Sequence, residues 1–221
     1  MVLVMLPPTF KPPNRPKFPR VGLQLLSPEA LEDEAIYRGR LLEGLSFEDQ
    51  PLESVSFEGC VFREVNLSRV QWHRIRLADV RFEQCILAGG QWNELSLERV
   101  EFVDCRLLGL QMPEARLRHV ALTRAQAQLS LWFKADTKNF WAEECDFGEA
   151  TFMDAELSSA VFRGCRLSQT DFMGAKLVGA DLRGSELSRT RLGLREVAGA
   201  IVEAEQLVDL AYLLDVKVMV L

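Results

Sequence analysis

The chain has 221 residues, 48% of them hydrophobic and 26% charged, a balance that excludes a disordered chain and fits a folded soluble protein. Its formal net charge of -6 argues against a general nucleic-acid binder held by phosphate contacts. No apolar run approaches the roughly 20 residues of a membrane span, and five cysteines without a C-x-x-C pair point to a reduced, cytoplasmic protein.

Residues 1–44 read as a proline-rich N-terminal segment. Prolines at 7, 8, 12, 13, 16 and 19 keep residues 1–20 extended or disordered. The apolar start has no basic stretch before it and prolines follow at once, so a secretory leader is not expected. "SPEALEDEAIYRGRLLEG" (27–44) opens with a Ser cap and a Pro in the first turn, which predicts a short helix capping the next segment.

Residues 45–195 repeat every five residues. Stepping from Phe57 visits Phe62, Leu67, Trp72, Leu77, Phe82, Leu87, Trp92, Leu97, Phe102, Leu107, Met112, Leu117 and Leu122. The frame resumes unshifted from Phe147 through Phe152, Leu157, Phe162, Leu167, Phe172, Leu177, Leu182 and Leu187 to Leu192. Two residues before each centre stands a second apolar or small residue, such as Val55, Cys60, Val65, Ala155 or Ala180. A helix would smear this pattern round its circumference, and a plain strand would place alternate copies on opposite faces. A chain that turns through about 90° every five residues sends both positions inward each time. Four such units close a square coil of about twenty residues, and coils stack about 4.8 Å apart through parallel backbone hydrogen bonds. From Phe47 to Leu192 there are 30 centres, or seven and a half coils.

The units "ADLRG" (180–184), "TDFMG", "CDFGE" and "VNLSR" resemble the A-(D/N)-L-x-x unit of the pentapeptide-repeat proteins. The resemblance spans residues 45–195 and implies an all-β solenoid, a right-handed quadrilateral parallel β-helix. The stretch 125–144 places Ala127, Thr137 and Ala142 at centres but keeps the frame, so it reads as a continuous, imperfect coil filled out by Trp132, Phe140 and Trp141.

Residues twenty apart must lie above one another. Leu67, Leu87 and Leu107 then form one inner column, Leu77, Leu97 and Leu117 the opposite one, and Phe62, Phe82, Phe102 and Trp72, Trp92, Trp132 the two aromatic ones. Such an interior is filled, with nothing left for a ligand cavity. Cys85, Cys105, Cys145 and Cys165 share a column of small inward positions, and Cys60 sits at another corner. They read as small buried hydrophobes, against the competing reading of a metal or redox ladder. His73 and His119 point outward, and no phosphate loop, catalytic constellation or metal-ligand cluster is present. No enzyme activity and no cofactor or metal are expected.

Residues 196–221 form a third segment. "EAEQLVDLAYLL" (203–214) carries Leu207, Leu210 and Leu214 at helical spacing and predicts a short C-terminal α-helix cap. "VKVMVL" follows as a strand containing Val216 and Val218. The resemblance implies a homodimer formed through this end; packing of the helix on its own rod is the alternative.

Binding is what remains. Outward residues Phe133, Met153 and Met173 would stack into an apolar stripe, the mark of a protein partner site unless the N-terminal segment folds over it. The resemblance adds an alternative, since some pentapeptide-repeat proteins bind DNA gyrase or topoisomerase IV by imitating a duplex and protect it from quinolones. For that reading the densest acids are Glu143, Glu144, Asp146, Glu149 and Asp154. Residues 45–195 hold 22 acids and 19 bases, which is too balanced for a strong mimic, so a protein-interaction rod is the first expectation. Direct contact with nucleic acid or membrane is not expected.

Overall fold

Every fifth residue of the rod adopts a backbone conformation that L-residues normally avoid. Among the described residues, twenty-three non-glycine residues have positive φ, all between 50° and 60°, and every one carries a number ending in 4 or 9. These are the corners of the coil, two residues after each inward centre. Along most of the rod the corner N–H donates to a carbonyl nineteen residues on, as Ser54 does to His73 (2.9 Å), Glu64 to Glu83 (2.9 Å) and Glu114 to Phe133 (2.7 Å). Near the C-terminal end Gly174 and Gly184 donate instead to the Glu196 and Glu203 carboxylates. The left-handed conformation turns the chain and delivers its N–H to the next coil in one step.

The structure is a computed structural model and describes residues 10–26 and 31–214. It is a parallel β-solenoid of about seven turns. Four eight-residue strands, Arg76–Glu83, Ser96–Val103, Arg116–Thr123 and Asp136–Glu143, pair in register at a spacing of twenty, so that Leu77, Leu97, Leu117 and Thr137 are successive partners. Each of these strands runs across a corner, at Asp79, Arg99, His119 and Asn139 respectively.

Alignment of coils stacks the side chains inside. Phe62 and Phe82 lie 4.6 Å apart, Phe82 and Phe102 4.9 Å, and Trp72 and Trp92 4.6 Å, each pair near-parallel. Trp132, Phe152 and Phe172 continue the second column at 5.6 and 5.3 Å. The stretch 125–144 is a continuous coil, as expected. Its small centre Ala127 and half-buried Thr137 are offset by buried Trp132 and Phe140, which meet edge to face at 5.8 Å. Trp141 does not fill the interior. It stands outside, half-buried, with the Arg163 guanidinium 5.1 Å from its ring.

The helix expected over 27–44 is absent from the described part of that stretch. Ile36–Arg38 and Arg40–Glu43 are strands that pair with Ser56–Glu58 and Val61–Arg63. The reason is register: Tyr37 and Leu42 stand at the same five-residue positions as Phe57 and Phe62, and Tyr37 stacks on Phe57 at 5.1 Å. Ahead of them Gln24–Leu25 pairs with Arg40–Leu41 at a spacing of sixteen, which drops Leu26 into the core. At the other end the bridge between Asp181 and Ile201 keeps the count of twenty past residue 195.

The C-terminal end is closed less by helix than by side chains. Leu194–Val197 and Leu207–Leu210 are single helical turns, the second followed by a 3-10 turn over Ala211–Leu214. Leu210 joins the core, while the buried Gln206 donates through Nε2 to the carbonyls of Leu182 (2.7 Å) and Ser185 (2.6 Å). Tyr212 Oη donates to the Thr190 carbonyl at 2.5 Å. Acceptors of the last coil that would lie open are thereby satisfied.

Two indoles in one column differ in their polar partners. Trp132 Nε1 donates to Ser130 Oγ at 2.7 Å, and that hydroxyl donates onward to the Ala127 carbonyl at 2.6 Å. Trp92 Nε1 has no hydrogen-bond partner among the described residues, and the equivalent slot is Gly90. Ser130→Ala is therefore expected to leave a second buried indole N–H unpaired and to lower unfolding stability by about 1–3 kcal/mol. A denaturation midpoint unchanged from that of the parent chain would contradict this.

Candidate functional site

Side chains that follow an inward centre by one residue point out of the rod. Phe133, Met153 and Met173 do so on three successive coils after Trp132, Phe152 and Phe172. Met153 is 37% and Met173 41% exposed, and Phe133 is half-buried with Lys134 Nζ 5.0 Å from its ring centre. An open depression of about 650 Å³ adjoins Phe133, with Glu94, Pro113, Glu114 and Arg116 in its walls. A second of about 500 Å³ adjoins Met173 and reaches Leu192 and Tyr212. The three stripe residues thus belong to one continuous face running to the C-terminal end.

The acidic residues are not gathered in the same way. Glu144, Glu149 and Asp154 occupy three successive corners, so Glu144 and Asp154 stand diagonally opposite each other. Asp146 lies on the face between two of those corners and is paired with Arg166 at 2.8 Å. Glu143, Glu144, Glu149 and Asp154 have no ion pair among the described residues. Elsewhere the carboxylates are matched by arginines one coil away. Arg69 holds Asp49 with two bonds (2.7 and 2.8 Å), Arg99 holds Asp79 (2.6 and 2.8 Å) and Arg124 holds Asp104 (2.7 and 2.9 Å). Arg63 bridges Glu43 and Glu83 at 3.0 and 2.9 Å. Such ladders cancel the field that rows of carboxylates would generate.

Of the residues expected at the C-terminal end, Leu210 is buried in the core and Leu207 is exposed. The Leu214 side chain, with Val216 and Val218, lies outside the described residues. Val208 and Tyr212 add further exposed apolar surface beside Leu207. Gln206, Tyr212 and Glu196, whose Oε2 accepts from the Gly193 N–H at 2.8 Å, were not singled out by sequence reasoning. Their only signal was a polar side chain interrupting an apolar stretch.

The five cysteines are free and buried. Cys85 Sγ donates to the Phe62 carbonyl at 3.3 Å, and burial pushes the Cys60 and Cys105 thiols above their ordinary values. Cys85 and Cys145 are shifted the other way, lowered first by hydrogen bonds from the stacked Cys105 and Cys165 thiols against the effect of burial, so it is Cys60 and Cys105 that burial holds protonated. Among the described residues no group of three His, Cys, Asp or Glu side chains could hold a metal ion. No helix among them is long and apolar enough to cross a membrane.

One contact set was not foreseen. The described part of the N-terminal segment does not fold over the stripe. It runs along the corner column of Gly39, Gly59, Asp79, Arg99, His119 and Asn139. Lys17 donates its N–H to Asp79 Oδ1 at 2.9 Å, and Asn14 donates its N–H to His119 Nδ1 at 3.3 Å. The Asp79 carboxyl lies below its ordinary range; burial opposes ionisation, but the Arg99 guanidinium and the Lys17 N–H outweigh it. His119 is lowered, first by burial and then by Arg99, with Lys138 and Lys11 adding and Glu98 opposing; Asn14 and Asn139 are its hydrogen-bonding neighbours.

A depressed histidine stabilises the docked segment through its neutral form. Arg99 and Lys138 belong to the rod, so docking adds to the shift only through its own contacts such as Lys11. The Asn14 bond to Nδ1 is present while the imidazole is neutral and is lost as pH falls through its depressed value. The Asn14 and Lys17 amide resonances are expected to hold docked positions at about pH 7.5 and to move toward free-segment values by about pH 5. His119→Phe should erase that titration. Resonances that stay fixed over the range in the parent chain would contradict the assignment.

Comparison with known proteins follows the same geometry. The family model described as "Pentapeptide repeat region" matches residues 75–152, and that described as "Pentapeptide repeats (8 copies)" matches 139–169 and 150–189. No curated protein matches the chain. Among solved structures it is similar to HetL, a pentapeptide-repeat protein involved in heterocyst differentiation regulation from the cyanobacterium Nostoc sp. strain PCC 7120. Identity is 17% and the TM-score 0.40, over 77% of this chain and 90% of that one. A trypsin-treated form of QnrB1, a plasmid-mediated fluoroquinolone resistance protein, is 16% identical with a TM-score of 0.46, over 90% and 99% of the two chains.

Proposed function

This chain belongs to the pentapeptide-repeat family, and we propose that it works as a non-enzymatic interaction rod whose partner is another protein. The observation carrying this reading is the stacked, outward column of Phe133, Met153 and Met173 on a rod with a filled interior. Three apolar side chains on successive coils form a flat, rigid strip flanked by depressions on both sides. A strip of this kind loses water on contact with a complementary protein face. The five buried free thiols suit the reducing cytoplasm. Exposed Leu207, Val208 and Tyr212 support a second copy as an additional partner at the C-terminal end.

Duplex mimicry against gyrase or topoisomerase IV is the weaker reading. The arginine ladders neutralise most carboxylates, and the unpaired acids are spread over opposite corners. Supercoiling by purified gyrase is expected to be indifferent to this protein, with or without a quinolone.

A photo-crosslinking residue at position 153 is expected to join a distinct protein in cells of the source organism, and the same residue at position 64 is not. Met153→Arg with Met173→Arg should remove that adduct while leaving the circular-dichroism spectrum unchanged. Crosslinking at 64 in place of 153 would overturn the assignment of the face.

A further inference from the structure

The N-terminal segment lies on the rod with a period of three. Phe10, Pro13 and Pro16 are half-buried while residues 11, 12, 14, 15, 17 and 18 are exposed. Three residues per turn is the period of a polyproline II strand, and prolines at 13, 16 and 19 keep that phase. Pro19, next in the series, is exposed, but its ring still lies over Gly39 and Gly59. A Cβ at Gly39 would stand 3.0 Å from Pro19 Cγ, and one at Gly59 would stand 3.5 Å from Pro19 Cδ and from the Lys17 carbonyl.

The hydrogen bonds keep the same phase. Asn14 and Lys17, three residues apart, donate their N–H groups to His119 and Asp79, two coils apart in one corner column. One turn of polyproline II advances about 9.3 Å, and two coils advance about 9.6 Å. The pitch of the ligand and the pitch of the solenoid therefore coincide. An extended proline-rich strand can run across the coils and meet an acceptor at every turn, while its intervening prolines forgo no bond. Beside the strand Pro12, Pro13 and Arg15 wall an open cleft of about 260 Å³ with Trp141, Ala121 and Glu143 opposite, an aromatic-lined border of the kind that suits proline rings.

We propose that this corner column is a docking track for a partner's proline-rich segment in polyproline II form, and that residues 10–20 occupy it as an internal mask. The partner segment has prolines at every third position and basic residues between them. Its chemistry follows from the present occupant, which carries Lys11, Arg15, Lys17 and Arg20 and no acidic residue. Glu143, which has no ion pair among the described residues, lines the cleft beside Arg15, and Asp79 accepts the Lys17 N–H while held by Arg99. The occupant is held by few bonds and is mostly exposed, so a competing segment can displace it. This surface is separate from the Phe133–Met173 stripe and does not depend on it.

The test uses the full chain and a fluorescent peptide with the sequence of residues 10–20. In a variant carrying Asn14→Pro and Lys17→Pro the internal strand keeps its polyproline form but loses both N–H donors. That variant is expected to bind the peptide about tenfold more tightly than the parent chain, whose own segment competes. Adding Gly59→Arg should abolish binding. The fold accepts arginine at a corner, since Arg69, Arg74, Arg99 and Arg124 already occupy corners with positive φ. In the parent chain, saturating peptide should shift the Asn14 and Lys17 amide resonances to free-segment values. The proposal is overturned if the double variant binds no better than the parent, or if a peptide of the same composition with its prolines out of phase binds equally. It is also overturned if saturating peptide leaves the parent resonances unmoved.

Discussion

The hydrogen bond from the corner N–H to the carbonyl of the next coil is the constraint on which the rest of this molecule depends. It requires a residue in the left-handed region every five positions, and twenty-three non-glycine residues accept that conformation. Left-handed backbone costs an L-residue on the order of 1–2 kcal/mol. The cost is tolerated because the same corner orients two inward side chains and binds the neighbouring coil. Both charges, amides and one leucine occur at corners, as at Glu64, Arg69, Asn139 and Leu129, so stacking imposes the turn on many residue types, while the ten corner glycines and the lack of β-branched corners ease it.

Everything laid on the rod inherits its twenty-residue alignment. Inside, it stacks Phe62 on Phe82 on Phe102, an arrangement worth about 0.5–1.5 kcal/mol per aromatic pair beyond burial. Outside, it sets many arginines against a carboxylate of a neighbouring coil, as Arg69 against Asp49, Arg124 against Asp104 and Arg81 against Glu101. The surface consequently carries little net field despite its many charges. The same alignment places the apolar residues 133, 153 and 173 on one face and gives the column of Asp79 and His119 a pitch that matches extended proline-rich chain.

What could be read from the sequence follows from this division between inside and outside. Inward positions admit only apolar or small side chains, so Phe57 through Leu192 announced the coil and its columns. The apolar stripe was legible by the same arithmetic. Corner positions did leave a mark that sequence reasoning passed over: ten of the fourteen glycines stand there with positive φ, and the other corners are almost all polar, with no β-branched residue and no Phe, Tyr or Trp among them. Residues 27–44 suggested a helix because Ser27 and Pro28 match the residue pattern of a helix start, yet Tyr37 and Leu42 already keep the rod's register and pair accordingly. The acids 143–154 looked like a cluster because they are close in sequence, but three corners separate what five-residue steps bring together on paper. The spacing of Pro13, Pro16 and Pro19 was visible in the sequence. Its meaning was not, because it depends on a column that exists only once the coils are stacked. Gln206, which satisfies two carbonyls of the last coil, was illegible for the same reason.

The alignment itself is tested most directly by paired cysteines at corners. Positions 64 and 84 lie one above the other, with Cα atoms about 4.8 Å apart, within the range a disulfide spans. Positions 64 and 89 lie on different corners. In the native protein under mild oxidation, Glu64→Cys with Gln84→Cys is expected to close a disulfide in nearly every molecule, and Glu64→Cys with Gly89→Cys to remain reduced. Equal oxidation of both pairs, or closure of the second alone, would contradict a square coil of twenty residues and the columns built on it.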